Sequence, residues 1–251
     1  MDIVTDPWFY AVAIPGVLLI GMAKSGFASG FGSLATPLMA TAVTVPQAAG
    51  IMLPVLLAMD VFGLIAFFKN CNRKVLMTLL PGGVVGTALG TVTFGALDAN
   101  VVRVVIGMIA VAFPLMIWFK VGAKRPASRP SHAKGFVAAS TAGYTSFVAH
   151  AGSPPALIYL MPLQMEKHNL VATHAVFFAF LNFIKIPSYF ALGQLSVANL
   201  STALILCLIA PIGIRIGIWL QGRVSTEMVY RVGRIGLFCT GCKLIFDGLR
   251  G

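Results

Sequence analysis

Long apolar stretches recur along the whole chain and constrain its fold more than any other feature. Runs such as VLLAMDVFGLIAFF show no alternation of polar and apolar residues, and about 20 residues of this kind cross the hydrocarbon core of a bilayer. Only 10% of the residues are charged, against about 25% in a soluble domain, so the chain cannot cover itself with a polar surface. A transmembrane β-barrel would alternate over segments of about ten residues. The sequence therefore predicts an all-α polytopic membrane protein.

Six stretches predict complete spanning helices, and two further apolar regions predict broken ones. The first broken region, residues 8–43, is interrupted at KSG (24–26) and near GFG (30–32), which leaves pieces of about 16 and 13 residues, each roughly half a bilayer. The second, residues 135–164, is interrupted at HAGSPP (150–155), where two consecutive prolines cannot continue a regular helix. The complete helices are expected at approximately 47–68, 74–97, 100–120, 170–193, 197–221 and 227–248.

The two halves of the chain carry similar features in the same order, which predicts an internal duplication. Residues 1–120 form the first expected repeat and 135–251 the second, and a hydrophilic linker at 121–134, rich in Lys, Arg, Pro and Ser, separates them. Each half has a broken segment followed by a helix with polar residues. The first half then contains PGGVVG and VVRVVIG, and the second contains PIGIRIG and VYRVGRIG in the same order. A shared order of this kind is the sequence signature of transporter repeats.

The distribution of basic residues decides how these repeats are oriented. If each broken segment crosses the membrane, the repeats are parallel with four spans each; if it turns back, they are inverted with three. The basic residues of loops 69–74 and 120–134 face the cytoplasm in both cases, but only inverted repeats also place Lys167 and Arg223 there. The positive-inside bias therefore favours two inverted repeats with both termini outside. The same bias explains the net charge of +11, so no nucleic-acid partner is expected.

The two breaks are the candidate substrate site, because backbone that leaves helical geometry at membrane depth must be buried in protein or line a watery cavity. Ends of half-helices expose N–H groups and a positive dipole end that suit anions. Small residues can also serve only to let helices pack closely, and that alternative stays open. The residues expected to bind substrate are Lys24, Ser25, Gly30, Gly32, Ser33 and Thr36 in the first break and His150, Gly152 and Ser153 in the second.

Charged residues inside apolar helices extend the candidate site. Lys185 lies within FFAFLNFIKIPSYF, and Asn182 and Tyr189 are spaced to share its helix face, so all three are expected to bind substrate. The alternative is that the lysine extends along the helix to the membrane surface. Asp60 is the sole acid well inside a span; it either pairs with a lysine or carries a proton, and His150 is the second candidate for proton coupling.

Several other chemistries find no support in the residues. The CTGC stretch (239–242) lies in an apolar helix without further ligands, so we expect neither a metal nor another cofactor. No Walker motif, G-x-S-x-G or H-E-x-x-H is present, which argues against ATP hydrolysis and against an intramembrane enzyme. A passive anion channel stays as an alternative to a transporter.

GFASGFGSLATPLM in the first half, and AGSPPALIYL with ATHAVFFAFLNFIKIPSYFALG in the second, resemble the sulfite exporter TauE/SafE family, also called the toluene sulfonate uptake permease family. The resemblance covers nearly the whole chain. It implies a secondary transporter, with export the expected direction, of a sulfur-containing anion such as sulfite or sulfoacetate in the bacterial inner membrane. A midplane site between the repeats would work by alternating access. Its expected partners are the small anion, membrane lipid and a second copy in a homodimer. Positions that match the family's motifs are Asn182, Lys185, Gly32, Pro37, Gly152 and Pro154.

Overall fold

The computed structural model describes residues 3–24, 34–96, 98–119, 130–220, 223 and 226–250, and within these ranges the chain is all-helical. Short 3₁₀ turns follow α3 and α7. The described helices are α1 (Pro7–Lys24), α2 (Ala35–Met39), α3 (Val45–Phe67), α4 (Arg73–Ala96), α5 (Ala99–Trp118), α6 (His132–Ala149), α7 (Ser153–Leu160), α8 (Lys167–Ala191), α9 (Val197–Leu220) and α10 (Thr226–Arg250).

Six of the described helices are long and apolar enough to cross a membrane: α1, α3, α4, α5, α8 and α9. Five of these coincide with predicted spans. The sixth, α1, has 18 residues, so the first arm of the broken segment is longer than the predicted half-bilayer piece. The predicted span at 227–248 forms α10, which is as long but is interrupted by charged residues. The polytopic all-α class is confirmed.

Both broken segments begin with a long helix and return as a short one. Helix α6 ends where His150 adopts a left-handed conformation (φ 51°), and the His150 N–H still donates to Ser146 O. Helix α7 then starts with two prolines in its first turn, where a missing N–H is tolerated. A Cβ added to Gly135 would lie 3.0 Å from the ring of Tyr159. The last turn of α7 therefore lies beside the start of α6, and this arm folds back on itself.

The first broken segment has the same form. Helix α1 ends at Lys24, and α2 begins beside its middle, because a Cβ on Gly16 would lie 3.1 Å from Ala35 Cα. After α2 the chain turns into α3, whose start is capped by the Thr44 side chain accepting from Gln47 N.

The two halves are interlocked rather than side by side. Each long arm packs on the other half: α1 on α9, and α6 on α4. Helices α3 and α8 pack against each other in the centre, and α5 packs on α10. If each helix is replaced by its counterpart in the other half, the same helix pairs result. This symmetry of the packing is what the predicted duplication would produce. Helix α3 is the most buried of the candidate spans, and its C-terminal end exposes Phe62 and Ile65, as a helix does towards lipid.

Candidate functional site

The Lys185 ammonium lies at the centre of a buried polar network between the two halves. Its side chain is fully buried. Nζ lies 2.7 Å from Ser146 O, 2.8 Å from Ser146 Oγ, 3.0 Å from Asn182 Oδ1 and 3.3 Å from His150 Nδ1. An ammonium has three N–H donors, so these four acceptors from α6 and α8 are enough to occupy all of them.

Asp60 of α3 links this cluster to the first break. The Asn182 amide donates to Asp60 Oδ2 at 2.7 Å, and Lys24, the last residue of α1, forms an ion pair with Asp60 Oδ1. Asp60 is 2% exposed, whereas the Lys24 side chain is 23% exposed. Asn182 therefore bridges a carboxylate of the first half and an ammonium of the second. The network therefore contains two lysines and one aspartate.

His150 and Tyr189 hold the second break against its neighbours. His150 Nε2 lies 3.2 Å from Ala49 O on α3, and a carbonyl only accepts, so Nε2 carries the proton and Nδ1 accepts from Lys185. Tyr189 is fully buried and donates to Phe147 O at 2.6 Å, with the two rings in an edge-to-face contact. The Tyr189 hydroxyl thus supports the end of α6 rather than the Lys185 ammonium.

Helix α2, which follows the first break, lies beside the second break. Pro37 of α2 and Ala149, Ala151 and Pro154 around the second break line one small cavity, together with residues of α5 and α10. Its volume is about 10 Å³, close to the space of a single water molecule. This cavity is therefore too small for a sulfonate.

Six buried side-chain polar atoms have no partner among the described residues: Tyr10 Oη, Thr36 Oγ1, Thr87 Oγ1, Ser140 Oγ, Tyr159 Oη and His174 Nε2. Of these residues Thr36, on α2, was a predicted ligand. His174 was not predicted, and its ring lies against Phe178. Buried groups of this kind are rarely left unpaired, so each can contact water or a bound molecule.

The remaining predicted residues divide into two groups. Gly152 is required by packing, because a Cβ there would lie 2.4 Å from Ala142 O and 2.6 Å from Phe178. Ser153 is the first residue of α7 and is half-buried. Four predicted ligands lie outside the described residues: Ser25, Gly30, Gly32 and Ser33.

Ser146 belongs to the polar network but was not among the predicted residues. It lies four residues before His150 on α6 and gives Lys185 two acceptors, so helical spacing from the predicted histidine would have selected it. Across the described ranges, no group of three or more His, Cys, Asp or Glu residues is arranged to hold a metal ion.

A larger, mostly apolar cavity of about 780 Å³ opens between α5, α6 and α7. It is lined by Lys134 near the start of α6 and by Thr145 and Ala151 at the second break. Thr145 and Ala151 are the sequence neighbours of Ser146 and His150, so this cavity approaches the Lys185 cluster.

Comparison with known families agrees with this architecture. The model of the sulfite exporter TauE/SafE family matches residues 13–244, a range that includes both breaks and every residue of the polar network. The chain belongs to this family. Its membership and its six apolar helices make it a multi-pass membrane protein of a transporter family for sulfur-containing anions. Searches of curated proteins and of solved structures returned no significant match.

Proposed function

We propose that this member of the TauE/SafE family is a secondary transporter of a small sulfur oxyanion or organosulfonate, with export as the expected direction. The observation that carries the proposal is the buried network at the junction of the two halves. It contains two lysines and one aspartate, it includes the end of α1, and it lies beside the second break. Basic groups at membrane depth usually face a partner or a pathway, and a bound anion would be such a partner.

Inverted repeats would supply the alternating access that such a transporter needs. The return of α7 along α6 supports a second half with three complete spans, and the return of α2 along α1 supports the same count in the first half. An odd number of spans inverts the second half relative to the first. It also leaves both termini on the outer face, with the basic linker inside, as the positive-inside bias predicts.

The small cavity between α2 and the second break supports a transporter rather than a passive channel. It admits about one water molecule, so an anion could pass there only after the contacts between the halves change. Asp60 and His150 are the candidate coupling groups. Both His150 nitrogens are engaged within the protein, whereas Asp60 pairs with the partly exposed Lys24, which favours Asp60.

Counterflow in proteoliposomes tests the proposal. Vesicles with purified protein are loaded with unlabelled sulfite, thiosulfate, sulfoacetate, taurine or isethionate, and the entry of the labelled anion is followed. A transporter accelerates entry when the same anion is present on the other side, and a channel does not. Flux without this acceleration would indicate the channel, and no flux for any of these anions would overturn the proposal.

Lys24→Gln and Lys243→Gln form a matched pair of variants for the same assay. Both lysines form ion pairs with an aspartate, but the Lys243–Asp247 pair lies exposed on α10. We expect Lys24→Gln to lose most of the counterflow and Lys243→Gln to retain it. Equal flux in the two variants would remove Lys24 from the anion site.

A further inference from the structure

We propose that Asp60 is an internal substitute for the transported anion. Its carboxylate accepts hydrogen bonds from Lys24 and Asn182, and the anion binds to these two residues when Asp60 takes up a proton. The inference rests on the proposed function and adds to it the mechanism by which proton and anion binding are coupled.

The hydrogen bonds around Asp60 resemble those of a bound oxyanion. One carboxylate oxygen accepts from the Lys24 ammonium and the other from the Asn182 amide. Sulfonate and sulfite oxygens accept from the same two kinds of donor. Lys24 is also the accessible cation of the network: its side chain is 23% exposed, whereas Lys185 is buried with its donors occupied by Ser146, Asn182 and His150.

An ionised Asp60 and a bound anion exclude each other. Both are negative, they compete for the same donors, and the surrounding core weakens charge repulsion far less than water does. One proton from solvent, added to a carboxylate oxygen, removes the charge and converts an acceptor into an O–H donor. Lys24 and Asn182 then exchange their bonds to Asp60 for bonds to the anion, the protonated Asp60 presents a third donor, and apart from the new O–H no covalent bond is made or broken.

His174 is another titratable group on α8. It lies eight residues before Asn182, about two helical turns away. Its Nε2 is buried without a partner in the described part of the chain. The Lys, Arg and His residues on the elements that pack against α3 are Lys24 on α1, Lys69 on the turn after α3, Arg103 on α5, His132 and Lys134 on α6 with His150 directly after it, Lys167, His168, His174 and Lys185 on α8, and Arg215 on α9.

Calorimetry of the purified full chain tests the coupling. Thiosulfate and isethionate are titrated in two buffers with different ionisation enthalpies, which gives the number of protons taken up for each bound anion. Neither probe titrates near neutral pH, so any proton must bind to the protein. We expect about one proton for each anion and, through linkage, an affinity that falls about tenfold for each unit of rising pH.

Asp60→Asn tests whether the Asp60 carboxyl group takes up the proton, and Asp247→Asn, which removes an unrelated carboxyl group, is its control. Asp60→Asn has no carboxylate to compete, so we expect no proton uptake, an affinity independent of pH, and binding at high pH at least as tight as in the unmodified protein. Asp247→Asn removes the exposed carboxylate of the Lys243 pair and should keep the coupled proton. If Asp60→Asn fails to fold, Asp60→Glu keeps a carboxyl group and should keep the proton uptake.

The outcomes distinguish this inference from the proposed function. Anion binding without proton uptake in the unmodified protein would overturn the role of Asp60 and leave the transporter proposal intact. Proton uptake that persists in Asp60→Asn would assign the proton to another group, such as His174, and would also overturn it. Failure of the unmodified protein to bind either anion at any pH would overturn the inference together with its premise.

Discussion

Replacement of Lys185 by methionine tests whether this lysine holds the protein together or binds the anion. In Lys185→Met, Asn182 Oδ1, Ser146 Oγ and His150 Nδ1 each lose a donor, while Ser146 O keeps the N–H of His150. A buried acceptor left unpaired costs about 1–3 kcal/mol, and three acceptors lose their donor here. Removal of the desolvation cost of the ammonium offsets part of this. We therefore expect the free energy of unfolding to fall by about 3 kcal/mol.

Thermal unfolding in detergent, followed by tryptophan fluorescence, measures this loss. For a protein of this size 1 kcal/mol corresponds to about 2–4 °C, so Tm should fall by about 6–12 °C. Lys243→Met is the matched control, because it breaks an exposed ion pair with Asp247, and pairs of this kind contribute about 1 kcal/mol or less. A Lys185→Met protein that keeps its Tm but no longer binds thiosulfate would refute the reasoning and make Lys185 a direct ligand.

Two further predictions concern helix packing and topology. A Cβ on Gly86 would lie 1.9 Å from Ser140 O, whereas Gly63 has open space around it. Gly86→Ala should therefore lower the unfolding free energy by about 1–3 kcal/mol, and Gly63→Ala should leave it equal or up to about 1 kcal/mol higher. Equal Tm values for the two variants would contradict this packing. In a background without native cysteines, we expect a membrane-impermeant maleimide to label Glu166→Cys from the cytoplasmic face and Asp98→Cys from the opposite face. Labelling of both from one face would contradict inverted repeats.

The sequence predicted the helices well because membrane thickness limits their length locally. The predicted spans 100–120 and 197–221 differ from α5 and α9 by at most two residues at either end. The positions of the breaks also follow from local chemistry. Helix α1 ends at Lys24 and α6 at Ala149, at the predicted interruptions KSG and HAGSPP.

The pairing of the polar residues could not be predicted from their order in the chain. Lys24 and Asp60 are 36 residues apart, and Asp60 and Asn182 are 122 apart. Sequence spacing identifies neighbours on one helix, such as Asn182 and Lys185, but contacts between helices depend on which faces pack together. The sequence left two interpretations of Asp60 open, an ion pair or a proton carrier. The pair with Lys24 establishes the first without excluding the second, since a carboxylate that exchanges one partner for a proton can do both.

The contact between Asp60 and Asn182 lies where α3 of the first half meets α8 of the second. If the halves move relative to each other during alternating access, this bond must either break or move with both helices. A proton on Asp60 weakens its interaction with Lys24, and an anion on Lys24 and Asn182 replaces the lost bonds, so binding would exchange one set of contacts between the halves for another. Protonation of Asp60 and the change of contacts between the halves would then involve the same atoms. Asn182 contacts both Asp60 and Lys185, and it is therefore the residue through which anion binding at Lys24 would reach the second break.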